Sequence, residues 1–165
     1  MLQRMKSLYQ WRPLVRKGQQ LSSPSQEVPQ FNGIPGWILC THDEQNRPSV
    51  LWTERGTTTE SLDVAMDERV CGDTIFRAVR LSPRVFLIAD IWVFNAENIH
   101  RGKTFADRQA LIASILDYFH EPDLTAFVHM EDVPVGTLIR GYETYDGLPG
   151  SIGSFSEHKL LPAQE

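Results

Sequence analysis

No stretch of this sequence approaches the roughly 18 consecutive apolar residues of a membrane-spanning helix, so no membrane span is expected. Cysteine is scarce. Cys40 and Cys71 are the only two in 165 residues. Two thiols cannot form a disulfide framework, so the expectation is a reducing intracellular compartment (cytoplasm, nucleus or mitochondrion) and not secretion. There is no Walker-type or dinucleotide-type glycine loop, which removes those phosphate-binding classes. The histidines lack zinc spacing. Cys40 and His42 alternate on one strand, but two ligands do not make a centre, and His100, His120 and His129 stand apart. No metal and no resident cofactor is expected. No Ser-His-Asp or Cys-His arrangement can be argued from residue order, and neither an internal repeat nor a low-complexity tract is present.

Acid is missing from one region only. Residues 1–26 carry Arg4, Lys6, Arg12, Arg16 and Lys17 and no Asp or Glu, although the whole chain has net charge −5. The rest of the chain is correspondingly acidic. A basic tail on an acidic body implies a partner for the tail: nucleic acid, an acidic protein surface or a targeting receptor. A solvated terminus is the plainer reading. The acidic body argues against a surface that coats nucleic acid generally.

What is present is an ordinary globular composition, 41% hydrophobic and 22% charged, and a length that suits one domain. The organising stretch runs from Arg84 to Asn95, rich in Val, Ile, Phe and Trp as a buried strand should be. Asp90 interrupts it, and an unpartnered buried carboxylate is costly, so Asp90 is expected near the strand end or in a site. Thr104 caps a helix in which Phe105, Leu111, Ile112, Ile115, Leu116 and Phe119 recur at helical spacing, ended by Glu121-Pro122. Strands are expected over Trp37–Thr41, Ser49–Glu54, Arg69–Leu81, Ala126–Met130 and Val135–Tyr145. Residues 30–36 read as a tight turn centred on Asn32-Gly33, and residues 55–66 as mostly loop. The fold class expected is α+β: a largely meandering antiparallel sheet with one principal helix packed on it. The division expected is a basic tail and linker over 1–29, a domain over 30–155 and a C-terminal tail over 156–165.

The order of these pieces resembles the covalent nucleotidyltransferase superfamily, the group of mRNA capping guanylyltransferases and ATP-dependent DNA and RNA ligases. The firmest likeness is Arg84 to Leu116: a strand ending in an Asp-Ile pair, a short loop where the family has Asn-Gly, and a helix with an arginine, Arg108, in its first turn. More loosely the likeness covers residues 30–155. It implies that Gln30-Phe31-Asn32-Gly33 stands where the family has its Lys-x-Asp/Asn-Gly nucleophile motif. It also sets Cys71-Gly72-Asp73 at the Asp-Gly-Glu motif, Phe86 at the base-stacking aromatic and Asp146-Gly147 at a later acidic motif. The arginine that often follows the nucleophile motif is replaced by Pro35. The final lysine-rich motif and the OB-fold domain have no counterpart.

A lysine amine attacks an α-phosphate because it can be deprotonated. The Gln30 amide lone pair is delocalised into its carbonyl, so Gln30 cannot serve as that nucleophile. Without phosphate-gripping lysines the transition-state charge is also unsupported. Binding is the function that can survive. The expected nucleotide-binding residues are Asn32, Gly33, Arg55, Asp73, Phe86, Asp90 and Arg140, with Trp37 and Trp52 as further stacking candidates. The ligand would be a nucleotide, an mRNA cap or an RNA end, or the chain would be a subunit of an RNA-processing assembly. The alternatives are a scaffold with a filled pocket, and a fragment of an active capping enzyme or ligase.

Overall fold

The computed structural model describes residues 15–17, 25–54, 58–122 and 125–162. In chain order the strands are β1 (Val15–Lys17), β2 (Ser25–Phe31), β3 (Ile34–His42), β4 (Pro48–Glu54), β5 (Thr58–Ser61), β6 (Ala65–Met66), β7 (Thr74–Ser82), β8 (Val85–Phe94) and β9 (Glu97–Asn98). The α-helix α1 (Phe105–Phe119) follows, then β10 (His120–Glu121), β11 (Ala126–Val128), β12 (Leu138–Asp146) and β13 (Gly153–Pro162).

The fold is α+β, with mainly antiparallel sheets and a single α-helix among the described residues. It is not one meander. The larger sheet runs β11-β8-β7-β3-β4-β5, with β9 beside β8, and the smaller runs β1-β13-β12-β2. Two pairings are parallel, β1 with β13 and β11 with β8. The short β10 pairs with β6 apart from both sheets.

Alternation along the strands of the larger sheet builds two cores. Ile38, Cys40, Phe76, Ala78, Phe86 and Ile88 face α1 and pack against Ile112 and Ile115. Val79 and Leu87 face the other way and meet Phe31 and Ile139 of the smaller sheet. The layers are therefore helix, larger sheet, smaller sheet. The chain passes between the sheets at Asn32-Gly33, where Asn32 N–H donates to the Leu138 carbonyl at 2.7 Å. A Cβ on Gly33 would lie 2.6 Å from the Arg80 carbonyl oxygen, so a close backbone approach requires glycine there.

Helix α1 begins as its sequence implies, with the Thr104 hydroxyl accepting from Asp107 N–H at 3.2 Å. It closes a gap in an edge. β11 covers β8 only at Val85–Leu87, and β9 covers it only at Val93–Phe94. Between them Gln109 Nε2 donates to the Ala89 carbonyl at 2.8 Å, replacing a missing strand partner.

Several expectations change. Residues 25–29, read as linker, are the first part of β2, because pairing with β12 overrides the Ser and Pro signals. Residues 30–36 are not one turn: only Asn32-Gly33 separates β2 from β3. The region after Asp146, broken by Gly147, Pro149 and Gly150, recovers into β13, which reaches Pro162. Residues 55–66, read as mostly loop, contain β5 and β6. No described helix is long and apolar enough to cross a membrane.

Candidate site between the sheets

Paired residues of neighbouring strands share a face. The register Thr53–Trp37–Arg77–Asp90 therefore sets four side chains in a row across the larger sheet. In the smaller sheet, Glu143 pairs with Val28 and Gly141 with Gln30. Val28 is buried with Phe105 and Tyr145, so its face is the inner one; the alternation breaks beyond it, because Phe31 is also buried inward, opposite the irregularity between Ile139 and Gly141. Gln30 itself is half-buried.

The two faces are joined by a buried ionic cluster. Arg77 Nη2 donates to Glu143 Oε1 at 2.6 Å and to the Tyr145 hydroxyl at 2.7 Å. Tyr145 in turn donates to Glu143 Oε1 at 2.5 Å. Burial opposes the Arg77 charge, but Glu143, Tyr145 and Asp90 outweigh it and hold the guanidinium protonated. Burial raises Tyr145 well above the ordinary phenol range, so it remains a neutral donor. Its ring stacks on Phe105 at 3.7 Å.

Asp90 is the carboxylate that interrupts the apolar strand. It lies mid-strand, not near the strand end, and is tolerated because it is paired: Arg108 Nε donates to Asp90 Oδ1 at 2.8 Å, with both side chains buried. Arg108 Nη2 also donates to the Ser151 carbonyl at 2.9 Å, and His100 Nε2 donates to the same oxygen at 3.1 Å. His100 stacks on Trp92 at 3.7 Å. Its burial, and then the Arg108 charge, lower its pKa to about 4, so it is neutral near pH 7.

Beside this cluster lies an aromatic patch. Trp37 is half-buried and meets Trp92 edge-to-face at 6.1 Å. Thr53 Oγ1, Trp92 Nε1 and Ser151 Oγ are buried with no hydrogen-bond partner among the described residues. Trp52 Nε1 and Asn98 Oδ1 are buried and unpaired in the same way, so such atoms are not confined to this face.

The structure separates residues expected to act together. Phe86 is fully buried between Trp52 and Phe127, with ring centroids 5.1 and 5.9 Å away, on the helix side of the larger sheet. It is a core residue, not a stacking platform, and so is Trp52. Asp73 sits at the far end of the hairpin. Phe86 pairs with Arg80, seven residues along β7 from Asp73, or about 23 Å. Phe86 and Asp73, both expected to bind the same nucleotide, therefore do not line one site. Asp73 has φ 67° and accepts from the Thr41 hydroxyl, so it serves the entry to β7. Asn32 and Gly33 form the crossing between sheets. Arg140 is half-buried at an irregularity in β12, between Ile139 and Gly141. Arg55, and the tail residues Trp11 and Arg12, lie outside the described residues.

Arg77, Glu143 and Tyr145 were not singled out by sequence. The signals were there: two charges, Arg77 and Arg80, inside the otherwise apolar run Thr74–Leu81, and Glu and Tyr alternating on one strand. What the sequence does not carry is their pairing across 66 and 68 positions.

Burial raises Cys71 to about 11 and Cys40 well above its ordinary value, so neither is a thiolate near pH 7. Among the described residues no group of three or more His, Cys, Asp or Glu converges as a metal cage. No family model matches this sequence, and no curated protein matches it.

Proposed function

We propose that this chain is a non-catalytic nucleotidyltransferase-like module that binds a nucleotide, a cap or an RNA end between its two sheets. One observation carries the reading. Half-exposed Trp37 stands in the same row as the unpartnered Thr53 hydroxyl and the Arg77 guanidinium, beside the unpartnered Trp92 indole N–H. An indole that stacks a base contributes on the order of 1–3 kcal/mol. Gln30 contributes an amide and no nucleophile, so the bound ligand leaves unchanged.

A second reading has its own support. The Arg77–Glu143–Tyr145 cluster fills the inner cleft with satisfied groups, as a scaffold with a closed pocket would. Thermal-shift and titration measurements over ATP, GTP, methylated cap analogue and single-stranded RNA separate the two. The binding module gives saturable binding to at least one of these, weakened about tenfold or more by Trp37→Ala. Absence of saturable binding to all four leaves the scaffold.

A further inference from the structure

At the β11 edge of the larger sheet, the last turn of α1 stands between two hollows. One of about 370 Å³ has half-buried Leu116 and buried Phe127 in its lining, with exposed Asp117, Glu131 and Asp132 around it. The other, of about 300 Å³, shares Asp117 and is bordered by Tyr118. Tyr118 is 79% exposed, the most exposed large apolar side chain among the described residues. Aromatic side chains displayed in this way are the commonest anchors of protein interfaces.

The electrostatics of this end are unbalanced. A helix C-terminus carries about half a negative charge and is stabilised by cations. The last turn of α1 holds no basic residue. Asp117 lies within that turn, and Glu131 and Asp132 add to it from across the hollow. None of the three has an ion-pair partner among the described residues. Such a field repels nucleic acid and anionic lipid, and rewards a cationic visitor. The apolar floor selects further, since a purely charged visitor leaves Leu116 and Phe127 uncovered.

We propose that this face docks a basic segment of a partner protein, with Arg or Lys flanking one apolar side chain. The apolar residue enters the larger hollow, the cations meet the three carboxylates, and Tyr118 lies against a guanidinium.

The test uses the full chain and a fluorescein-labelled synthetic peptide of arginines around leucines, followed by anisotropy at low and physiological salt. Saturable, salt-weakened binding is expected. Glu131→Lys with Asp132→Lys weakens it about tenfold or more, and so does Tyr118→Ala. Replacing the leucines by serine weakens it several-fold. Glu44→Lys with Glu97→Lys, the same charge change at exposed sites elsewhere, leaves it nearly unchanged. All the altered residues are exposed, and circular dichroism confirms that each variant is folded. An equal loss in the Glu44/Glu97 variant, or indifference to Tyr118→Ala and to leucine removal, overturns the proposal in favour of unspecific charge attraction. Absence of saturable binding overturns it outright.

Discussion

Gly33 has no room for a side chain. An added Cβ would meet the Arg80 carbonyl at 2.6 Å and Val79 Cγ1 at 2.7 Å, and backbone cannot swing aside as a flexible side chain can. Gly33→Ala is therefore expected to cost about 1–3 kcal/mol, read from the urea midpoint at constant slope. The reverse change is expected at Ala96. It follows Asn95 in the turn between β8 and β9, and the two have φ of 71° and 47°. A Cβ is strained there, so Ala96→Gly should stabilise the fold by about 1 kcal/mol in the same assay. The resemblance placed Asn-Gly at this loop, and this chain carries the less comfortable residue. At this scale the sequence was readable where chemistry is local: the Thr104 cap and the special role of Asn32-Gly33 follow from neighbours a few positions away. Arg77 with Glu143 was not readable, because its partners meet only once two sheets stack. Phe86 was misread for a related reason. Its letter suits a ligand platform, but strand parity turns it into the core beneath α1.

The helix and the β7–β8 hairpin were plain from periodicity, because each carries its own apolar pattern and its own stops. β13 was hidden behind glycines and a proline. β2 was hidden by Pro29, which an edge strand of the smaller sheet accommodates. β11 was expected as a short strand, but its parallel pairing to β8 depends on where α1 returns the chain. The Asp90–Arg108 pair ties the first turn of α1 to the middle of β8. Removing one partner leaves a buried charge alone. Asp90→Asn or Arg108→Met should each destabilise by about 3–5 kcal/mol in equilibrium unfolding. Replacing both with apolar residues, Asp90→Leu with Arg108→Met, should recover much of that loss. If the double variant is as unstable as the two single losses added, the pair does more than neutralise itself.

For the molecule as a whole, acid is the natural probe of a core that holds a neutral histidine. His100 has its pKa lowered from 6.5 to about 4 by burial and by Arg108. Between those values the unfolded chain binds a proton that the folded chain does not. Stability therefore falls as pH falls, with His100 contributing about 1.4 kcal/mol per pH unit in that window. Burial lowers His120 as well and adds to the slope in the same sense. In urea titrations at pH 7 and pH 5, His100→Gln should lose the His100 share of this slope and keep the rest. Trp37 and the acidic residues at the end of α1 share no hollow among the described residues, so ligand binding and partner docking can be tested by separate substitutions. The central claim is that the cleft binds without charging. The direct measurement is intact mass spectrometry of the chain after incubation with ATP or GTP and magnesium, read alongside saturable binding under the same conditions. The account predicts binding with no covalent adduct, and none after Gln30→Lys either, because an amine alone adds no stabilisation of the charge that develops on a transferring phosphoryl group. A nucleoside monophosphate that stays on the denatured wild-type chain would contradict it.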